Sequence, residues 1–83
     1  MRALATGLLL AALATAAHAD RPGPDWISLE RVTAILQAAG YGPVTGIEAD
    51  DGRWEATAYR DGRRFELHLD PRSGAILRVR PER

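Results

Sequence analysis

The sequence contains no cysteine and no lysine, only two serines, and aromatic residues at 6% of its length. Each scarcity removes possibilities. Without cysteine there is no disulfide framework of the kind that staples many small secreted domains. There is also no thiolate for a structural zinc site and no cysteine for N-terminal lipidation. With serine confined to Ser28 and Ser73, neither in a nucleophile-elbow setting, a serine hydrolase lacks its central group. No glycine-rich phosphate loop is present. Near the start, charge is missing from the whole stretch from Ala3 to Ala17.

That uncharged stretch divides the chain. Met1-Arg2 is a short basic start. Leu4, Leu8, Leu9, Leu10 and Leu13, set among alanines, form an apolar run, and Ala17-His18-Ala19 offers small residues at the two positions a signal peptidase reads. This is the order of a secretory signal, with cleavage expected after Ala19. A spanning helix needs about 20 apolar residues. This run is shorter and holds threonine and glycine, so no stable membrane anchor is expected after cleavage. The expected organisation is a signal peptide over 1–19, a flexible leader over 20–25 with Pro22, Gly23 and Pro24, and a folded domain over 26–80. Localisation would be periplasmic or secreted.

Losing Arg2 with the signal leaves 10 basic and 11 acidic residues and a net charge of −1. Such a surface has no general attraction for nucleic acid or anionic lipid. All the basic residues are arginine, which carries no functional reading here. A domain this small buries only about 60% of its unfolded surface. Its stability is a few kcal/mol unless a partner adds to it.

The folded part reads as one helix followed by strands. Ser28 is an N-cap candidate, with Glu30 in the first turn where negative charge suits the helix dipole. Leu29, Val32, Ile35, Leu36 and Ala39 recur at helical spacing, and Gly40 closes the run. Trp26 or Ile27 would pack back onto that face as a staple. The helix, about Leu29 to Ala39, is too short to stand alone and must dock.

Val44 to Ala49 reads as a first strand, followed by a turn at Asp51-Gly52. Arg53 to Arg60 alternates, with Trp54, Ala56 and Ala58 on one face and Glu55, Thr57 and Tyr59 on the other. Asp61-Gly62 is the strongest hairpin signal. Beyond it, Phe65, Leu67 and Leu69 face one way and Arg64, Glu66 and His68 the other. Asp70-Pro71-Arg72-Ser73-Gly74 is a turn in which Asp70 bonds backbone N–H groups and Gly74 takes a left-handed conformation. Ala75 to Arg80 is a last strand with Leu77 and Val79 inward. The fold class is α+β: one helix packed on an antiparallel meander of three to four strands, with a polar, wet outer face.

Taken together, these segments resemble a PepSY domain. The match lies in Ala39-Gly40-Tyr41 closing the helix, in Trp54-Glu55-Ala56, and in Asp61-Gly62 leading into Phe65-Glu66-Leu67. It closes in the run Leu69-Asp70-Pro71-Arg72-Ser73-Gly74-Ala75-Ile76-Leu77. It covers about Trp26 to Val79. The resemblance implies a small extracytoplasmic module of the kind found in propeptides of thermolysin-like metallopeptidases. Such a module binds or restrains a protein partner, with peptidase inhibition as one role. It implies no catalytic constellation and no cofactor. With one unit and no peptidase in the sequence, any target must be a separate molecule.

The candidate partner-binding residues are Tyr59, Arg60, Arg63, Arg64, Glu66 and His68. Arg60, Arg63 and Arg64 would make a basic corner at the hairpin. An exposed edge strand can also pair with a peptide. A second reading is a sensor for a small ligand or metal, because His68 and Glu66 share a strand face. Too few ligands are legible for zinc, and the Asp50-Asp51 pair lacks the six to eight oxygens of a calcium loop. Both groups read first as solvated surface and turn. The residue inventory points away from an enzyme.

Overall fold

The computed structural model describes residues 20–82; the expected signal peptide, with Ala17 and Ala19, lies outside the described residues. The order is α1 (Leu29–Ala38), β1 (Val44–Asp50), β2 (Arg53–Arg60), β3 (Arg63–Leu69) and β4 (Ile76–Pro81). The four strands form one antiparallel sheet in the order β1-β2-β3-β4. The α+β meander read from the sequence is the fold observed, with the helix first among the elements.

Local chemistry fixes each boundary. The Ser28 hydroxyl accepts from the Arg31 N–H at 3.0 Å, so the first turn is capped as its sequence requires. At the other end, the Gly40 N–H donates to Gln37 O and the Tyr41 N–H to Leu36 O. This is the paired bonding of a Schellman motif, and it satisfies carbonyls the helix would leave open. Both tight hairpins place an aspartate and a glycine at positive φ, 57° and 80° at Asp51-Gly52 and 53° and 76° at Asp61-Gly62. Two positive φ values define the I′ turn, whose twist matches the strands it joins.

The core lies between α1 and one sheet face. Val32 and Leu36 from the helix meet Ala49, Trp54, Ala56, Ala58, Leu67 and Leu69 from the strands, all buried. The small residues Ala56 and Ala58 let the helix approach. Trp54 anchors the helix entry. Its indole N–H donates to Ile27 O at 3.0 Å, and its ring meets Trp26 edge-on with centroids 5.2 Å apart. Ile27 in turn donates its N–H to Pro71 O. The segment before the helix is thus tied to β2 and to the turn between β3 and β4.

That turn is organised as expected. Asp70 accepts from the N–H groups of Arg72 and Ser73 at 3.0 and 2.7 Å. These bonds hold its carboxyl below the usual carboxylate range, the Ser73 N–H foremost. Gly74 has φ 78°, and a Cβ there would stand 2.4 Å from Ile35 Cδ1 and 3.2 Å from Ile27 Cδ1. The position therefore needs glycine for conformation and for space.

Two core assignments differ from the sequence reading. Leu77, expected inward, is 59% exposed, and Ile76 packs against the core in its place. The register explains this: Leu69 pairs with Ile76 but His68 pairs with Arg78, so Leu77 is an extra residue in a bulge. Val79 does pair with Leu67 on the inner face, yet it is 43% exposed. Tyr41, not counted among the core residues, is buried and meets Phe65 edge-on.

The residues read as a leader are tied at both ends. Asp20 donates its N–H to Ala49 O and accepts from the Asp51 N–H. Asp25 meets Arg72 Nε at 2.6 Å. That arginine holds the Asp25 carboxyl below its ordinary range.

Candidate functional site

The outer face of the sheet is built in rows, because residues opposite one another on antiparallel strands share a face. One row runs Glu48, Glu55, His68, Arg78; the next runs Gly46, Thr57, Glu66, Arg80. Tyr59 and Arg64 pair beyond them, and Glu82 continues that row through an ion pair with Arg64 at 3.0 Å. Acidic groups lie toward β1 and β2, and arginines toward β4. The alternation that buries Trp54, Ala56 and Ala58 forces the polar residues between them onto this side.

Of the candidate residues, Tyr59, Arg64, Glu66 and His68 come together here. Arg60 and Arg63 do not. They occupy inner-face positions beyond the end of the helix. The Arg60 guanidinium lies 4.5 Å from the centroid of Tyr41 and donates to Ala39 O at 3.2 Å. Arg63 lies over Phe65 at 5.8 Å. The basic corner read at the hairpin is divided between two faces, since Arg63 and Arg64 are consecutive and must point opposite ways. Arg60 and Arg63 cover aromatic rings that α1 leaves open.

The centre of the face is His68. Its Nε2 is 3.6 Å from Glu55 Oε2 and 3.9 Å from Glu66 Oε2. Glu66 turns its other oxygen to Arg80 at 2.5 Å. Burial pushes the His68 imidazole below its ordinary pKa; Arg53, Arg78 and Arg80 push the same way, against the opposing pull of Glu66. The environment therefore favours the neutral ring. Beside it opens a groove of about 370 Å³ lined by Gly46, Glu48, Glu55, Thr57, Glu66 and Glu82 among others. The missing side chain at Gly46 helps to open it.

Glu55 was absent from the sequence-derived candidates, although a signal for it exists. The two-residue turn at Asp61-Gly62 fixes the β2–β3 register, and that register sets Glu55 directly opposite His68. The same reasoning through Asp51-Gly52 sets Glu48 opposite Glu55.

The second surface is the free edge. β4 pairs only with β3 among the described residues, and it exposes Leu77 and Val79 beside the arginines at 78 and 80. At the opposite edge, β1 is met by Asp20 through an isolated bridge to Ala49. No helix among the described residues is long and apolar enough to cross a membrane.

Neither the curated proteins nor the solved structures yield a match. A family model does: the peptidase propeptide and YPEB domain, PepSY_2, matches residues 1–80. The matched span contains the capped helix, both aspartate-glycine hairpins and the Asp70–Gly74 turn, and on that match the chain belongs to the PepSY family.

Proposed function

We propose that this chain is an exported module that binds a separate protein, a peptidase or another envelope protein, and restrains it in trans. The family supports a regulatory, propeptide-like role. The observation that carries the reading is the uncovered edge of β4, where Leu77 and Val79 remain 59% and 43% exposed beside Arg78 and Arg80. Exposed edges are usually blunted or covered. Here an extended segment of a partner, apolar and acidic by turns, can add as a fifth strand, its backbone pairing with β4 and its carboxylates meeting the arginines. Tyr59, Arg64, Glu66 and His68 form the adjoining outer face. No nucleic acid is expected as a partner, and the module acts by occupancy, without chemistry of its own.

The test is a crosslinked pull-down of the tagged protein from the exported fraction of its own host. The wild type is compared with a Leu77→Asp/Val79→Asp variant and a Tyr59→Ala/Arg64→Ala/His68→Ala variant. An envelope protein captured by the wild type and lost from the β4 variant supports the reading. Equal capture by the wild type and both variants defeats it.

A further inference from the structure

We propose that Glu55, Glu66 and His68 form a binding site for a divalent transition-metal ion, with Zn²⁺ as the simplest occupant. The three residues offer one ligand atom each, and these atoms lie within 4.8 Å of one another. The separations suit a shared ion. In tetrahedral zinc coordination, with bonds of about 2.0 Å, neighbouring ligand atoms sit about 3.3 Å apart. The observed 3.6 and 3.9 Å from Nε2 to the two carboxylates exceed that by a few tenths of an ångström. The same distances are too long for hydrogen bonds. Among the described residues the His68 ring makes none, although its side chain is only 12% exposed.

A second observation points to a cation. Glu48 and Glu55 stand directly opposite each other across β1 and β2, an arrangement that costs stability when both are charged. Among the described residues neither is paired with an arginine: Arg53 pairs with Asp51, Arg64 with Glu82, and Arg80 with Glu66. Both line the groove that also receives Glu66 and Glu82. A divalent ion at its floor is bound by Glu55, Glu66 and His68. It is faced by Glu48 from β1 and reached through the groove, which leaves room for water as a fourth ligand.

The surroundings suit this role. Arg80 grips Glu66 Oε1 and leaves Oε2 turned to His68, the second-layer contact that commonly orients a ligating carboxylate. An imidazole binds metal through an unprotonated ring nitrogen. An imidazole with two carboxylates selects for zinc and its neighbours over calcium or magnesium, which prefer oxygen alone. Arg53, Arg78 and Arg80 face His68 from β2 and β4 and keep the affinity moderate.

The experiment is a titration of the full chain with ZnCl₂ at neutral pH, followed by the imidazole ¹⁵N resonances of His68. The expected result is a saturable shift at His68 with one ion per chain. Glu55→Gln should weaken it by at least the roughly 10- to 100-fold that loss of a ligand's supporting partner costs. Mg²⁺ should leave the resonance in place. Reading His68 itself separates the site from His18 and needs no variant to fold. A His68 resonance unmoved by saturating Zn²⁺ overturns the proposal, as does wild-type affinity in a folded Glu55→Gln protein. No partner is present in the titration, so its failure leaves the partner-binding reading where it stands.

Discussion

The two faces of the sheet come from the same four strands and differ in what holds them. On the helix side, Leu67, Leu69, Ala56 and Ala58 are buried against Val32 and Leu36, and among the described residues no polar or charged one is buried with them. On the outer side, the same backbone carries Glu55, Thr57, Glu66 and His68, with Glu66 paired to Arg80 at 2.5 Å and His68 Nε2 3.6 and 3.9 Å from the Glu55 and Glu66 carboxylates. Burial of apolar area, about 25 cal/mol per Å², stabilises the first face. Exposed ion pairs contribute about 0–1 kcal/mol each and do little for the second. The helix side therefore sets whether the chain folds, and the outer side is free to be shaped by binding.

The sharpest way to break this division is Leu67→Ala. Truncating a fully buried leucine costs about 2–5 kcal/mol. In a domain of a few kcal/mol that abolishes folding, and urea unfolding followed by circular dichroism should show no cooperative transition. A cooperative transition close to wild type would mean that something other than the helix-side core holds the fold.

Gly74→Ala comes next. A left-handed backbone costs a residue with a Cβ about 1–2 kcal/mol, and the clash with Ile35 adds about 1–3 kcal/mol of overpacking. A Gly74→Ala/Ile35→Val double variant should recover part of the loss in the same assay. Ser28→Ala should cost about 1 kcal/mol through the lost cap.

Acid gives a smaller effect that comes from the outer face. The His68 pKa is lowered on folding from its ordinary 6.5, so the unfolded chain takes up the proton first. This contribution to stability is whole above pH 6.5 and is lost as the pH falls from there through the folded-state value. Thermal unfolding between pH 7.5 and 5 should show the decline, and His68→Gln should flatten it. The smallest effect belongs to Tyr59→Ala and Leu77→Asp, each expected within about 0.5 kcal/mol of wild type. A larger loss from either would show that the outer face and the β4 edge share in holding the fold.

Much of this was legible because the information is local. Alternation in Arg53–Arg60 and Arg63–Leu69 placed both strands exactly, and the two aspartate-glycine turns fixed their registers. The helix face, the Ser28 cap and the Asp70–Gly74 turn were equally plain. What failed depends on distant contacts. The extra residue at Leu77 follows from how a long turn delivers β4 to β3, and nothing in the Ala75–Arg80 pattern marks it. Burial of Tyr41 depends on Phe65 and on Arg60 closing over it. At the candidate site, His68 and Glu66 were visible on one strand. Glu55 required the register to be carried across the hairpin.

The only two tryptophans in the chain, Trp26 and Trp54, meet edge-on at the point where the helix enters the sheet. Indoles with centroids 5.2 Å apart and planes at 76° couple their excited states. The pair should give a two-signed band in the ultraviolet dichroism spectrum that exists only while the helix is docked. Lifting the helix from the sheet extinguishes that band even where the strands persist, so light alone can follow the assembly of one face apart from events on the other.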